Sequence, residues 1–168
     1  MRPGSDKNSV WLATVDTGRA TGIEVVSRIT LSPTRERANV GLVGLFVDRM
    51  NHLTCKLEVS EGHPDGLLAI GEELDGRTTS LLSSRTGVGL RNGASYRLVL
   101  TIPTDPASAP VRCRVQGSGV GRQTVAFRLG SESLAAFGGG TGQGLRIKIF
   151  GDEDDGGSAW RDFLVVPV

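Results

Sequence analysis

The sequence predicts an all-β protein, a two-sheet antiparallel sandwich with one short helix. Three observations predict it. About ten short segments alternate apolar and polar residues with period 2, as strands do when one side faces a core. Gly-, Pro-, Asn- and Asp-rich turn signals separate them at regular spacing. A single stretch, Ser131–Phe137, reads as helix. Twenty-four Gly and seven Pro in 168 residues imply many turns rather than disorder, because apolar runs recur between them.

The first strand is expected over Ser9–Thr17 and the second over Ile23–Leu31, where Ile23, Val25, Ser27, Ile29 and Leu31 share one parity. Asn39–Val47 is apolar on both parities, as suits a central strand covered on both sides. His52–Val59 alternates cleanly, placing Thr54, Lys56 and Glu58 outward. The segment 61–66 (EGHPDG) reads as a turn, followed by strands over Leu67–Leu74 and Thr78–Ser83 joined at Asp75-Gly76. Strands at Ser95–Ile102, Val111–Val115 and Thr124–Leu129 follow, with Gly117–Gly121 a turn. The helix has Ser131 as expected N-cap, Glu132 in its first turn and Gly138 to stop it. The chain closes with a strand in GLRIKIFG, an acidic loop, and a strand in AWRDFLVV, where Phe163 and Val165 alternate with Asp162 and Leu164. Length suits one domain over residues 9–168, with residues 1–8 a flexible leader.

Composition excludes several classes. Nineteen basic and eighteen acidic residues give a net charge of +1 without a block of like charge, so neither nucleic acid nor another polyanion is an expected partner. Apolar runs are too short for a membrane helix, and the start of the chain carries no signal-peptide pattern. Cys55 and Cys113 both point inward by parity. Two buried free thiols are the favoured reading; a bridge between the sheets is the alternative and needs an oxidising compartment.

Several segments carry a family resemblance: NVGLVGLFVDRMNHLTCKLE, NGASYRLVLTI, and SLAAFGGGTGQGLRIKIFGDEDDGGSAWRDF at the end. Together they resemble concanavalin A-like (laminin G-like) jelly-roll domains over about Ser9 to Val168. The aromatic–Asp–Asp–Phe run of their last strand stands here as Trp160-Arg161-Asp162-Phe163, with Arg in place of the first acid. Similar modules end secreted polysaccharide-active enzymes and occur in tail and other virion proteins of actinobacterial phages. The resemblance implies two packed antiparallel sheets, often with a concave face that binds glycan or protein. It implies no single activity.

Catalytic signatures are not found. The Glu-x-Asp-x-x-Glu strand run of the glucanases with this fold is missing, and Glu72-Glu73-x-Asp75 has the wrong spacing and reads as a solvated turn. His52 and His63 read as surface or turn residues, and Gly138–Gly144 as tight-turn geometry. Aromatic residues make up only 5% of the chain, and those in strand patterns are expected in the core. Trp160 and Phe150 are the candidates for ligand contact, with outward Lys56, Arg146 and Lys148 as possible lining of the sheet face. The acidic loop at Asp152, Asp154 and Asp155, with Asp162, reads as a solvated turn or as ligands for Ca²⁺, the one cofactor weighed.

The expectation is therefore a non-catalytic structural or recognition module. A phage virion protein of capsid or tail fits best, its partners host-surface glycans, other virion proteins or further copies of itself. The alternative is a secreted accessory carbohydrate-binding module of a polysaccharide-degrading enzyme.

Overall fold

A computed structural model describes residues 7–13, 22–30, 38–60, 63–85, 94–117, 119–149 and 159–168. They form the predicted two-sheet antiparallel sandwich with one short helix. Strands β1 (Lys7–Ala13), β3 (Ala38–Asp48), β4 (Asn51–Ser60), β5 (His63–Leu74), β6 (Arg77–Arg85) and β10 (Gly142–Ile149) make one sheet, in the order β1-β10-β3-β4-β5-β6. The other sheet runs β11-β2-β7-β8-β9, from β2 (Ile23–Thr30), β7 (Ser95–Ile102), β8 (Val111–Gly117), β9 (Val120–Phe127) and β11 (Ala159–Pro167). Helix α1 (Ser131–Phe137) lies on the crossing from β9 to β10.

The inward parities read from the sequence meet between the sheets. Val40, Leu42, Leu53, Leu57, Leu68 and Ile70 of the six-stranded sheet are buried against Val25, Ile29, Tyr96, Leu98, Leu100 and Val115 of the other. Each such side chain removed from water contributes roughly 1.5–3 kcal/mol. At the centre Cys55 and Cys113 are joined by a disulfide between β4 and β8, so the bridged alternative, and not the pair of free thiols, describes the protein. The physical reason is superposition: both residues sit mid-strand, and packing brings their Cα atoms to 5.3 Å.

Several boundaries moved. β1 includes Lys7 and Asn8, assigned above to the leader, while the predicted residues 14–17 of that strand lie outside the described set. β5 starts at His63, inside the expected turn, with Pro64 near the strand start, where a missing N–H is tolerated. β9 starts at Val120, because Gly117 and Gly119 take positive φ and shorten the connection from β8. The Asp75-Gly76 turn holds as read: φ is 50° at Asp75 and 76° at Gly76, the left-handed pair of a tight hairpin.

Helix α1 does not use Ser131 as its cap. The N-cap is the extended Gly130, which offers no side-chain oxygen, and its carbonyl accepts from the Leu134 N–H at 3.0 Å. Seven residues are too few to hold a helix alone. Burial of Phe137 and a 2.6 Å hydrogen bond from the Ser133 hydroxyl to Glu72 tie it to the sandwich.

In β11 the carboxylate-bearing Asp162 has a backbone role. Its φ of 55° marks a bulge, two residues facing one between the Arg161–Arg28 and Leu164–Val26 pairs. The Ser27 hydroxyl donates to the Arg161 carbonyl at 3.1 Å beside it. The bulge lets both Trp160 and Phe163 pack against the core.

Candidate functional site

The outer face of the six-stranded sheet is built from the residues between the core positions. Paired positions put Asn39, Glu58 and Leu67 in one row, Gly41, Lys56 and Ala69 in the next, and Val43, Thr54 and Gly71 in a third. The expectation that Thr54, Lys56 and Glu58 line this face holds for side, but not for solvation: they are 1%, 3% and 8% exposed. Small neighbours explain how the long side chains fit. A Cβ on Gly41 would sit 2.6 Å from the Cys55 carbonyl oxygen, so only glycine packs there. Lys56 Nζ lies 3.6 Å from Glu58, and Asn39 Nδ2 donates to the same carboxylate at 3.4 Å. The lysine charge is thus paired, as burial requires.

His52 and Glu73 continue the same face. Neither is the surface group the sequence predicts: His52 is fully buried and Glu73 is 4% exposed. They pair across β4 and β5, the imidazole packs 5.6 Å from the Phe46 ring, and Nδ1 lies 3.3 Å from the Asp48 carbonyl oxygen. Glu73 accepts from the Thr78 hydroxyl at 2.6 Å.

An open cavity lies where β5, β6 and α1 meet. It has a volume of about 450 Å³ and is lined by Glu72, Leu74, Asp75, Arg77, Thr79 and Glu132. The strand order positions each group. β5 delivers Glu72 and Leu74, the tight turn lifts Asp75, and β6 returns Arg77 and Thr79. The first turn of α1 adds Glu132. Glu72 is buried and held by Ser133, which leaves Asp75, Arg77, Thr79 and Glu132 exposed around it. The turn is braced: the Asp75 N–H donates to the Asn51 side-chain oxygen at 3.2 Å, and the Gly76 N–H to the Met50 carbonyl at 3.0 Å. Carboxylate acceptors, one guanidinium fork and one hydroxyl around an open pocket suit a ligand rich in hydroxyl groups. Sequence reasoning dismissed Glu72 and Asp75 as a solvated turn. The missing signal was the helix, distant in sequence, which encloses them.

The other predicted site residues are scattered. Trp160 is half-buried against the core with its indole nitrogen out of solvent, so it offers no open aromatic platform. Arg146 and Lys148 are positions of β10 whose backbone pairs with Gly41 and Asn39 of β3. Phe150, Asp152, Asp154 and Asp155 lie outside the described residues. Asp162 is exposed, with its carboxylate 3.9 Å from the Arg28 guanidinium, and the described residues contain no His/Cys/Asp/Glu cluster able to hold a metal ion.

Two antiparallel sheets packed face to face and tied at their centres by a disulfide define the class by fold, a two-sheet β-sandwich. Among solved structures, a carbohydrate-binding module, CBM66 from Bacillus subtilis, matches at TM-score 0.61 and 12% identity, covering 96% of this chain and 83% of that one. The CBM2 module of the evolved Dit of Lactobacillus casei BL23 phage J-1 matches at TM-score 0.60 and 12% identity, covering 94% and 66%. The enzymatically active domain of tailspike protein 2 of bacteriophage CBA120 matches at TM-score 0.59 and 22% identity, covering 93% of this chain but 23% of that one. At these identities the likeness is one of fold. No protein-family model and no curated protein matches the sequence.

Proposed function

We propose that this chain is a non-catalytic glycan-recognition module and that the cleft of Glu72, Asp75, Arg77, Thr79 and Glu132 is where it holds sugar. The observation that carries the reading is the cleft itself. Its volume lies in the range of small-ligand sites, and donors and acceptors converge on it from three elements. Adjacent sugar hydroxyls both donate and accept, and a carboxylate beside a guanidinium answers both needs. Structural neighbours described as carbohydrate-binding and CBM modules support the same direction.

A virion setting is the form of this function we favour. Two neighbours of the same fold come from phage proteins, a Dit and a tailspike. The cross-sheet disulfide accords with a protein that works in an oxidising surrounding, as virion surfaces and secreted proteins do. The second reading, an accessory module of a secreted enzyme, is favoured by the match to CBM66 over most of both chains.

The test is a neutral-glycan array followed by calorimetry on the hits. Asp75→Asn keeps a residue that tolerates positive φ, and combined with Arg77→Gln it should weaken binding about tenfold with the melting temperature unchanged. Unaltered affinity in that double variant overturns the cleft reading. Light scattering on the same sample separates the two settings: a closed oligomer or docking on a particle favours the virion, a monomer the accessory module.

A further inference from the structure

The outer face of the five-stranded sheet carries a concentration of arginine that net charge conceals. Arg28 lies directly opposite Arg161 on one side and Arg97 on the other, so three guanidinium groups stand in a row across β11, β2 and β7. Arg112 and Arg114 on β8 add two more on the same face, opposite Thr101 and Val99. The acids among the described residues of this face are Glu24 and Asp162. Glu24 lies 3.8 Å from Arg114 and accepts from the Thr101 hydroxyl, and Asp162 lies 3.9 Å from Arg28. No ion pair among the described residues involves Arg97, Arg112 or Arg161, and all three are exposed.

Like charges placed directly opposite on neighbouring strands destabilise a sheet. In this row only the central Arg28 has an acid beside it among the described residues, Asp162, so the outer Arg97 and Arg161 are left to meet an external anion. Guanidinium groups favour planar, bidentate acceptors such as carboxylate. The row advances about 4.8 Å per strand, close to the length of one sugar ring. Proteins that hold single-stranded nucleic acid add aromatic stacking to a basic groove. The outward positions here, among them Val26, Val99, Thr101, Gln116 and Thr124, include no aromatic residue among those described.

We propose that this face docks a linear polyuronate, an acidic polysaccharide with one carboxylate per ring, laid across the strands along Arg161, Arg28 and Arg97. The surface is separate from the cleft and does not rest on the cleft reading.

Affinity electrophoresis of the purified chain in gels containing polygalacturonate, its methyl ester, or oligo-dT tests it, with EDTA present throughout. Polygalacturonate should retard the protein at low ionic strength, and the retardation should fade as salt shortens the screening length. Arg97→Gln/Arg161→Gln should weaken it about tenfold, since each exposed pair contributes a few-fold. The melting temperature of that variant, measured at low salt, should be equal or higher because two like charges leave the row. No retardation of the wild type, equal retardation by the methyl ester or by oligo-dT, or an unchanged double variant each overturns the proposal. Because the cleft is tested on neutral glycans with its own variants, either reading can fail while the other stands.

Discussion

β4 and β8 are joined by the disulfide and alike in pattern, yet their outer sides differ completely. Around Cys55, the alternating Thr54, Lys56 and Glu58 are buried. Around Cys113, Arg112 and Gln116 are exposed and Arg114 is half-buried. The same period-2 pattern thus yields a closed polar layer on one sheet and an open charged one on the other. The difference comes from neighbours, not from the strands themselves. Beside Lys56 stand Gly41, Ala69 and Gly71, and a buried carboxylate meets its charge. Beside Arg97 stand another arginine and Gln116.

The largest effect should come from the link itself. Reduction, or Cys55→Ala/Cys113→Ala, frees a loop closed over a separation of 58 residues and should cost about 4 kcal/mol. Thermal melting with and without reductant checks it. An unchanged melting temperature would mean the two strands are held without the bridge.

The charges come next. Lys56→Met leaves Glu58 in a buried layer without its cation and should cost on the order of 3 kcal/mol. Arg114→Met removes a guanidinium that faces Glu24 at the surface and should cost less than about 1 kcal/mol. Urea unfolding of both variants measures the gap, and equal losses would erase the contrast between the faces.

The smallest effect is one in which the two sheets should agree. Each has a turn aspartate whose carboxyl sits below its ordinary range. Asp48 is held there first by the Met50 N–H, at 2.7 Å, with help from Asn51. Asp105 is held by Ser108 and by the Ala107 N–H, at 3.0 Å. A depressed carboxyl contributes stability that is present above the ordinary aspartate value of 3.8 and lost as pH falls through the folded value. Asp48→Asn and Asp105→Asn should therefore each flatten the fall in melting temperature below about pH 4, by similar small amounts. A steeper fall in either would reverse the sign.

Much of the architecture was legible because it is local. Period 2 marked the strands, Asp75-Gly76 marked its hairpin, and parity sent both cysteines inward. What parity does not carry is coverage. Thr54, Lys56 and His52 read as outward, and they are, but parity is silent on whether water reaches them, and it does not. The bridge required knowing that mid-β4 lies over mid-β8, a relation between sheets. The cleft was missed for the same reason, since Glu132 joins Glu72 and Asp75 only through the crossing helix. The arginine row escaped a count of +1 because its members come from positions 28, 97 and 161.

The disulfide also has a mechanical consequence. β1 and β11 are edge strands of different sheets, so a pull applied through them loads the sandwich at its margins, where hydrogen bonds can break in succession. Such peeling would stop at the bridge. The 58-residue separation cannot be drawn out, which withholds about 190 Å of extended chain at roughly 3.3 Å per residue. Strands β5, β6 and β7, and with them the hairpin of the cleft, fall inside that locked length. Under tension the edges would act as a fuse while the β5–β6 hairpin of the cleft stays tethered.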